Sequence, residues 1–425
     1  MLLIRPATAL FVFISLCLSQ GRMNGLGIGH YGSFQGNGNA VDGMTELAPA
    51  FQKNMSFSNP STWHNLKFSY LSISYSGNES LINESSVSNG YSSLSNAIWV
   101  VPIKSNSSLG LSLSPYSDQR VSLISQDTAY FEAFDSTYGY TRSFARSGGI
   151  LSLKIGTSYR ISEKLSVGFN HNILFGSSRQ NESIFFGGNA VTQSSRARYS
   201  GVINDFYFGF SSSENLKLFS KITFSLKPLE AAIGKKYLFD DANGNGYHDY
   251  SPPIYDFPFP DSVSSNSEKK VNNAHDPKAL KIGFNRILGE RSALAIELGI
   301  LNDDAQNEGS ILVIPFSNWI KSTNSLKMSL STYPEDYSLK ILDKFSFKSG
   351  ITYLNHKLFH NDEDILELGF SIGVGFKFKP VGNQINLNYY FGNREYSGFN
   401  EKEFIQQIQI GISLADIWFV KRRQK

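Results

Sequence analysis

The chain has 425 residues, a formal net charge of +3 at pH 7 and 14% aromatic residues. This charge is too small to indicate nucleic-acid binding, because nucleic-acid-binding domains concentrate many lysines and arginines on one face. No run of about 18 or more apolar residues is present, which excludes a transmembrane helix in the mature chain. A membrane protein built from alternating strands is not excluded, because its apolar residues average out along the chain.

Residues 1–21 have the features of a secretory signal peptide. Arg5 supplies a positive charge, Ala9–Leu18 is apolar, and small residues follow at Ser19 and Gly21. The only cysteine, Cys17, lies inside this segment without the surrounding residues of a lipidation motif. The sequence therefore predicts export, and a mature chain without cysteine, which suits an oxidising compartment.

Residues 22–64 do not alternate like a strand. They are rich in Gly and Asn and end in Asn59-Pro60-Ser61-Thr62-Trp63. The run Gly27-Ile28-Gly29-His30-Tyr31-Gly32 matches the dinucleotide-binding fingerprint. That motif needs a preceding strand and a βαβ unit, and neither is predicted here. The segment is interpreted as irregular structure ahead of the first strand.

From Lys67 onward, apolar and polar residues alternate with the period of a strand. The longest example is 366–378, with Leu, Ile, Val and Phe on one face and mostly Gly and Ser on the other. Strands in soluble proteins average about 5–6 residues, whereas a tilted strand needs about 9–11 to cross a bilayer. The predicted strands are 67–75, 97–103, 109–116, 150–161, 165–177, 197–210, 217–227, 280–287, 293–300, 311–320, 326–332, 343–354, 365–379, 385–393 and 404–419.

The chemistry of the two faces favours a transmembrane barrel over its alternative, a soluble β-sandwich. Small neutral residues suit a crowded, hydrated lumen, and rows of Leu, Ile and Phe suit lipid. The connections also alternate in length, as in barrels with short periplasmic turns and long outer loops. The short ones are 104–107, 162–164, 212–215, 289–291 and 380–383. The long ones are 76–96, 117–149, 178–196, 228–279 and 394–403.

The number of predicted strands is odd, which conflicts with this alternation of sides. Treating 293–320 as one strand, interrupted by the polar residues Asn302–Ser310, gives 14 strands. An extra strand inside a loop is the alternative.

The chain resembles the FadL/TodX-like outer-membrane family, and within it the branch found in Bacteroidetes and marine bacteria. The similar segments are Asn59–Trp63, Leu342–Gly350, Glu367–Phe378 and Glu403–Arg422 with Trp418-Phe419. The resemblance implies an all-β protein, a 14-stranded antiparallel transmembrane β-barrel (65–420), in the outer membrane of a Gram-negative bacterium. It also implies that residues 22–64 plug the lumen as a hatch ending at Asn59 and Pro60. Residues 421–425 form a basic tail beyond the usual terminal Phe.

The same resemblance implies a function that is not enzymatic. Known members take up hydrophobic small molecules such as fatty acids, hydrocarbons or aromatics, and their outer surface contacts outer-membrane lipid. Some relatives are scaffolds of protein-secretion machinery, so a non-transporting scaffold in a secretion or surface complex is the alternative. The Gly-rich start of the family's hatch is only weakly matched at Gly36–Ala40, which leaves the identity of the ligand open.

One motif in the predicted outer loop 228–279 has the spacing of a calcium loop. Oxygen-bearing side chains stand at Asp241, Asn243, Asn245 and Asp249, and Tyr247 would contribute its carbonyl. The twelfth position is Pro252, so the usual bidentate acid is missing. The loop is predicted to bind calcium weakly or to be a metal-free turn, and no other cofactor is expected.

We expect no enzymatic activity. Gly369-Phe370-Ser371-Ile372-Gly373 matches the nucleophile elbow of hydrolases, but it lies in the middle of a predicted strand rather than at a strand-to-helix turn. His356 and His360 are the only close histidine pair, and they are predicted to be solvated in an outer loop.

Overall fold

The structure is a computed structural model. It describes residues 22–31, 39–82, 87–124, 128–133, 136–186, 189–234, 236–253, 255–257, 269–305, 318–335, 338–359, 364–379, 381–397 and 401–416. The predicted signal peptide and the basic tail, together with Trp418 and Phe419, lie outside these residues.

Fourteen antiparallel strands form a closed barrel, as predicted. Each strand pairs with the next along the chain, and the last pairs with the first through Ile412 and Ile73. The strands are β1 (Ser69–Ile82), β2 (Val87–Lys104), β3 (Ser107–Asp118), β4 (Ser136–Arg160), β5 (Leu165–Phe186), β6 (Asn189–Ser213), β7 (Leu216–Ile233), β8 (Pro277–Leu288), β9 (Ser292–Asp303), β10 (Ile320–Thr332), β11 (Phe345–Leu358), β12 (Asp364–Lys379), β13 (Asn383–Tyr396) and β14 (Glu401–Asp416).

The alternation in the sequence becomes an apolar outside and a polar inside. In β12, Leu368, Phe370 and Ile372 point outward and are 40–58% exposed, while Glu367 on the opposite face is fully buried. This inverts the arrangement of a soluble protein, in which large apolar side chains are buried. The outward rows therefore match the apolar band of a transmembrane barrel.

Several predicted long loops are instead mostly strand. β4 and β6 each have 25 residues and β5 has 22, more than a bilayer requires. The predicted loops 76–96, 117–149 and 178–196 are largely parts of β1, β2, β4, β5 and β6. These predictions were wrong because both faces of the strands are polar beyond the apolar band, so the apolar–polar alternation disappears there.

The interpretation of 293–320 as a single interrupted strand was also wrong. β9 ends at Asp303 and β10 starts at Ile320, and the two are antiparallel neighbours with Leu301 opposite Thr323. The predicted strand 311–320 lies outside the described residues except for its last three positions. The count of 14 stands because β9 and β10 correspond to the predicted strands 293–300 and 326–332. β10 begins before its apolar–polar alternation does, since polar Ser322 and Asn324 lie on its outward face.

Shorter elements extend the barrel wall at the end with the long connections. Val121–Ile124 and Ala129–Ala133 pair with β4, Tyr237–Asp240 with β6, and Lys269–His275 with β7. Among the described residues, no helix is long and apolar enough to cross a membrane.

The N-terminal segment, defined by the described residues 22–31 and 39–64, packs against the inward-facing side of the strands. At one end, the 3₁₀ helix Pro60–Asn65 lies near the short turns of β3 to β5. A Cβ atom added at Gly168 would lie 2.5 Å from the backbone nitrogen of Ser61, so glycine permits this close approach. At the other end, His30–Tyr31 pairs with β3, His30 lying opposite Asp118. The hydrophobic core forms where this segment meets the wall, and includes Met23, Leu26, Ile28, Tyr31, Ile150 and Leu174.

Candidate functional site

The N-terminal segment is joined to the barrel wall by a partly buried ion-pair cluster. The carboxylate of Glu46 lies 2.6 Å from Lys221 Nζ of β7 and 2.5 Å from Lys281 Nζ of β8. The three side chains are between 13% and 17% exposed. Burial raises the pKa of Glu46, but the two lysines outweigh burial and hold it well below its ordinary value. Glu46 is therefore charged and bound to two neighbouring strands at once.

Further hydrogen bonds fix the backbone of the segment to other strands. The backbone nitrogen of Leu47 donates to Glu297 Oε2 of β9 at 2.9 Å. Lys348 Nζ of β11 donates to the carbonyl oxygens of Val41 and Asp42. Bonds that involve a charged group are stronger than neutral ones, so these contacts restrain the segment at several points of the barrel circumference.

Asp42 organises the segment internally. Its carboxylate accepts hydrogen bonds from the backbone nitrogens of Phe57 and Ser58, at 3.0 and 2.8 Å, and from Ser58 Oγ at 2.8 Å. Burial raises the pKa of Asp42, and the hydrogen bonds from Phe57 and Ser58 partly oppose this rise. The carboxylate thus closes residues 42–58 into a loop.

The predicted hatch residues Asn59 and Pro60 lie at the buried turn that leads into β1. Asn59 Oδ1 accepts from the backbone nitrogen of Ser61 at 3.0 Å, and its Nδ2 donates to the carbonyl oxygen of Leu47 at 2.7 Å. Asn59 therefore caps the 3₁₀ helix, with Pro60 at the first helical position, where a missing N–H costs nothing. Their role in a hatch stays a prediction.

A second charged cluster lies inside the barrel near the long connections. Arg394 Nε donates to Glu367 Oε2 at 2.6 Å, and Arg394 Nη2 donates to His30 Nε2 at 3.2 Å. The other carboxylate, Glu403, lies 3.5 Å from Arg394 Nη1 and accepts from Tyr396 at 2.5 Å. No sequence motif links these residues, and we did not predict the cluster. The available signal was that Glu367, Arg394 and Glu403 all occupy inward positions of alternating strands.

A cluster around His275 contacts the outer end of the N-terminal segment, and it was not predicted from the sequence. The ring of Tyr31 stacks on His275, with ring centres 5.2 Å apart. His275 Nδ1 lies 2.6 Å from Asp303 Oδ2, and its Nε2 lies 2.6 Å from Tyr116 Oη. The imidazole thus connects the segment to β3 and β9.

A cavity of about 200 Å³ remains between the segment and the wall. Its lining combines aromatic rings with charged groups, so it is not a purely apolar pocket. The aromatic residues are Tyr31, Phe57, Trp63, Tyr91, Tyr116 and Tyr207, and the charged ones include Glu46, Lys154, Asp205, Lys221 and Lys281.

Comparison with known proteins assigns the chain to a family. The family model described as BamG matches residues 25–425. The chain belongs to the BamG family. No curated protein matches the sequence of this BamG-family chain significantly.

Solved structures of other proteins share the fold of this BamG-family barrel. The CymD monoaromatic hydrocarbon channel has a TM-score of 0.53 at 13% identity, covering 89% of this chain and 98% of its own. A Pseudomonas aeruginosa FadL homologue has a TM-score of 0.55 at 10% identity, covering 92% and 98%. The P. putida toluene transporter TodX has a TM-score of 0.52 at 11% identity, covering 91% and 100%. The FadL/TodX-like resemblance is thereby confirmed for the fold, while the Bacteroidetes and marine branch stays a prediction.

The calcium-type motif of the BamG-family chain forms a closed loop outside the barrel. Asp241 is buried and accepts from the backbone nitrogens of Asn245 and Gly246, at 3.0 and 2.7 Å. The side-chain amides of Asn243 and Asn245 donate to Asp249 Oδ2, at 2.6 and 2.9 Å. The side chain of Tyr247 is 54% exposed. The predicted ligand residues are therefore brought together in one loop.

Pro252 contributes no ligand, but the fold places a different acid in the loop. Asp256 is fully buried and accepts from the backbone nitrogens of Ala242 and Asp249, at 3.2 and 2.7 Å. Within the described ranges, no three His, Cys, Asp or Glu side chains converge as metal ligands. A calcium site here would have to rely on amide and carbonyl oxygens as well, and it stays a prediction.

One further prediction about individual residues was wrong. His356 is not solvated in a loop: it is buried, and its Nδ1 lies 2.9 Å from Thr323 Oγ1. The reason is that β11 continues to Leu358, which places His356 on the inward face; His360 lies outside the described residues.

Ser371 lies in the middle of β12, paired with Gly350, so the elbow pattern does not form a strand-to-helix turn.

Proposed function

We propose that this BamG-family barrel is a non-transporting scaffold in a protein-secretion or surface complex of the Gram-negative outer membrane, with residues 22–64 as a permanent plug. The observation that carries the proposal is the binding of Glu46 between Lys221 and Lys281. These lysines belong to neighbouring strands, so a carboxylate of the plug offsets positive charge on the inner face of the wall.

The energy needed to move such a plug argues against routine opening. Leaving one charge of a buried ion pair without its partner costs about 3–5 kcal/mol, and the partly buried pairs of Glu46 should fall toward the lower end of this range. Each hydrogen bond to a charged group contributes about 1.5–3 kcal/mol. The contacts of Glu46, Glu297 and Lys348 would all have to break. A small molecule bound with micromolar affinity supplies about 8 kcal/mol in total. A passive channel has no other energy source, so the geometry supports a fixed plug.

Purification from outer membranes in mild detergent, followed by native mass spectrometry, tests the scaffold directly. The expected result is a stoichiometric protein partner, together with no ion conductance when the barrel is placed in a planar bilayer. A variant lacking residues 24–60 should conduct. A barrel that purifies without any protein partner and carries a fatty acid, hydrocarbon or aromatic compound would refute the scaffold.

Uptake of a hydrophobic small molecule is the second candidate function. Two observations favour it: the aromatic rings in the cavity, and a fold shared with a monoaromatic hydrocarbon channel and a toluene transporter. Uptake of toluene or of a fatty acid into liposomes containing the barrel would then be saturable. Ser112→Trp, which fills the cavity from β3, should abolish it, whereas the outward-facing Ser220→Trp on β7 should not. Equal uptake by both variants would contradict passage through the cavity.

The proposed location has a simple test of its own. A membrane barrel that resists detergent migrates faster on a gel before boiling than after it, and should sediment with outer membranes in a sucrose gradient. Equal mobility and recovery in the soluble periplasmic fraction would contradict this location.

A further inference from the structure

Three arginines lie together on the outward face of β5 and β6. Arg179 of β5 is directly opposite Arg196 of β6, and Arg198 follows two residues along the same face. Arg196 and Arg198 are exposed, and Arg179 is half-buried. Directly opposite residues of antiparallel strands have Cβ atoms about 4.5–5.5 Å apart, so the guanidinium groups share one patch. We call these three residues the arginine patch.

The arginine patch has no acidic partner in the described part of the chain. Arg196 Nη2 donates to Ser177 Oγ at 3.2 Å, and the guanidinium of Arg179 lies 4.2 Å from the ring centre of Tyr247. Neither contact offsets positive charge with a carboxylate. Nearby outward lysines differ, because Lys227 and Lys270 both pair with Glu230, at 3.3 and 3.0 Å. Like charges directly opposite each other destabilise a strand pair, so a bound anion would stabilise the patch.

An apolar surface of bilayer height lies directly below the arginine patch. From Leu165 to Phe175, the outward row of β5 rises roughly 33 Å, or about 25 Å along the membrane normal at a tilt of about 40°. His171 interrupts this row, and its Nδ1 lies 2.9 Å from Asn204 Oδ1 of β6. Ser200 of β6, opposite Phe175, is also polar. The other apolar outward residues are Val167, Phe169 and Ile173 on β5, and Val202, Phe206, Phe208 and Phe210 on β6.

The patch therefore lies where the apolar band ends, on the side of the barrel opposite the short turns. Head groups of outer-leaflet lipids occupy this height in a Gram-negative outer membrane. The outer loop contacts β5 just beyond the patch, where Asn181 Nδ2 donates to the carbonyl oxygen of Gly246 at 2.8 Å. Exposed positive groups therefore lie between an apolar wall and an outer loop, which is the arrangement that an anionic lipid head group requires.

We infer that the outward face of β5 and β6 binds a phosphorylated glycolipid of the outer leaflet, with its phosphate on Arg179, Arg196 and Arg198. The guanidinium group is planar and presents paired donors that match phosphate oxygens. The acyl chains would lie along Phe175 and Phe206, which are 41% and 38% exposed. This inference rests on the outer-membrane placement proposed above, but not on whether the barrel is a scaffold or a channel.

Native mass spectrometry of the full barrel in detergent, titrated with bisphosphorylated lipid A, tests the inference. The variant is Arg196→Gln combined with Arg198→Gln. The matched control is Arg286→Gln. Arg286 is an exposed outward arginine of β8, and it lies at the end of the barrel with the short turns, whereas the patch lies toward the end with the long connections. We expect at least tenfold weaker binding in the double variant, unchanged binding in the control, and weak binding of the dephosphorylated lipid to the wild type.

Three outcomes would overturn the inference. They are equal lipid A affinity in the double variant and the wild type, equal affinity for the phosphorylated and dephosphorylated lipid, and equal affinity for lipid A and inorganic phosphate. The last outcome would indicate a free-anion site. Each variant must first show faster gel mobility before boiling than after it, which separates loss of binding from loss of the barrel. The presence or absence of a copurifying protein tests the scaffold independently.

Discussion

Glu46 Oε1 lies 2.6 Å from Lys221 Nζ, and this contact joins residues 175 positions apart in the sequence. It connects an irregular N-terminal segment to the middle of the barrel wall. The outward surface depends on apolar residues meeting lipid, whereas this interior depends on charges that neutralise each other. Disturbing the interior should therefore loosen the segment before it unfolds the barrel.

Glu46→Gln should destabilise the attachment of the N-terminal segment. Removing one partner of a buried ion pair costs about 3–5 kcal/mol, because the other charge is left uncompensated. Asp205 lies 3.5 Å from Lys221, and Glu297 lies 3.9 Å from Lys281, so the effect should fall at the lower end of this range. The measurement is the midpoint temperature of the gel-mobility shift, together with ion conductance in a planar bilayer.

The control for this prediction is Glu395→Gln. Glu395 pairs with Lys402 at 2.7 Å but is 52% exposed, and exposed ion pairs contribute about 0–1 kcal/mol. A midpoint temperature that falls equally in both variants would contradict the anchoring role of Glu46.

The contribution of Glu46 should depend on pH in one direction. The neighbouring lysines outweigh burial and hold the folded-state pKa of Glu46 well below its ordinary value of 4.5. A carboxyl group with a lowered pKa stabilises the folded state fully above the unfolded-state value and loses this effect as pH falls through the folded-state value. The difference in midpoint temperature between wild type and Glu46→Gln should stay constant from about pH 7 to 5 and shrink below about 4.5. A difference that persists unchanged to pH 3 would indicate that Glu46 acts through packing alone.

Asn59→Ala should loosen the turn into β1. It removes the cap of Pro60–Asn65 and leaves the buried carbonyl oxygen of Leu47 without its amide donor. Losing a cap costs about 1 kcal/mol, and an unsatisfied buried polar group about 1–3 kcal/mol. Limited proteolysis of the N-terminal segment should become faster. Asn54→Ala removes an exposed amide of the same segment whose Oδ1 accepts from Lys217 Nζ at 2.5 Å. Because water can replace this exposed hydrogen bond, the variant should stay near the wild-type rate. Equal rates in the two variants would contradict the capping role.

Calcium should stabilise the outer loop if the motif at 241–249 binds it. Extracellular calcium modules bind with a Kd of about 10⁻⁴–10⁻³ M, so titration calorimetry at millimolar calcium should detect heat. Asp241→Asn should abolish the signal, whereas Asp304→Asn, a 53% exposed acid on another outer connection, should not. Magnesium should bind more weakly because it requires a near-octahedral site. No heat from wild-type protein at 5 mM calcium, about five times the weakest expected Kd, would leave a metal-free turn as the explanation.

The sequence by itself determined which residues of a strand face outward and which face inward. Alternation is a local property of extended backbone, so Leu368 and Phe370 could be assigned to one face, and Glu367 to the other, without a tertiary structure. The number of strands followed only in part, because alternation predicted 15 segments and the merging of 293–320 that reduced them to 14 is not what the structure shows. The Gly/Asn-rich residues 22–64 were set apart for the same reason, since they lack any alternation.

Only the tertiary structure decided the pairing of charges and the length of the strands beyond the apolar band. Arg394 and His30 are 364 positions apart, and they meet because barrel closure brings β13 beside the N-terminal segment. Arg179 and Arg196 read as loop residues until β5 and β6 are seen to pair through them. Apolar rows are selected locally by their contact with lipid. Contacts between distant polar residues depend on strand register and barrel closure, which a single stretch of sequence does not contain.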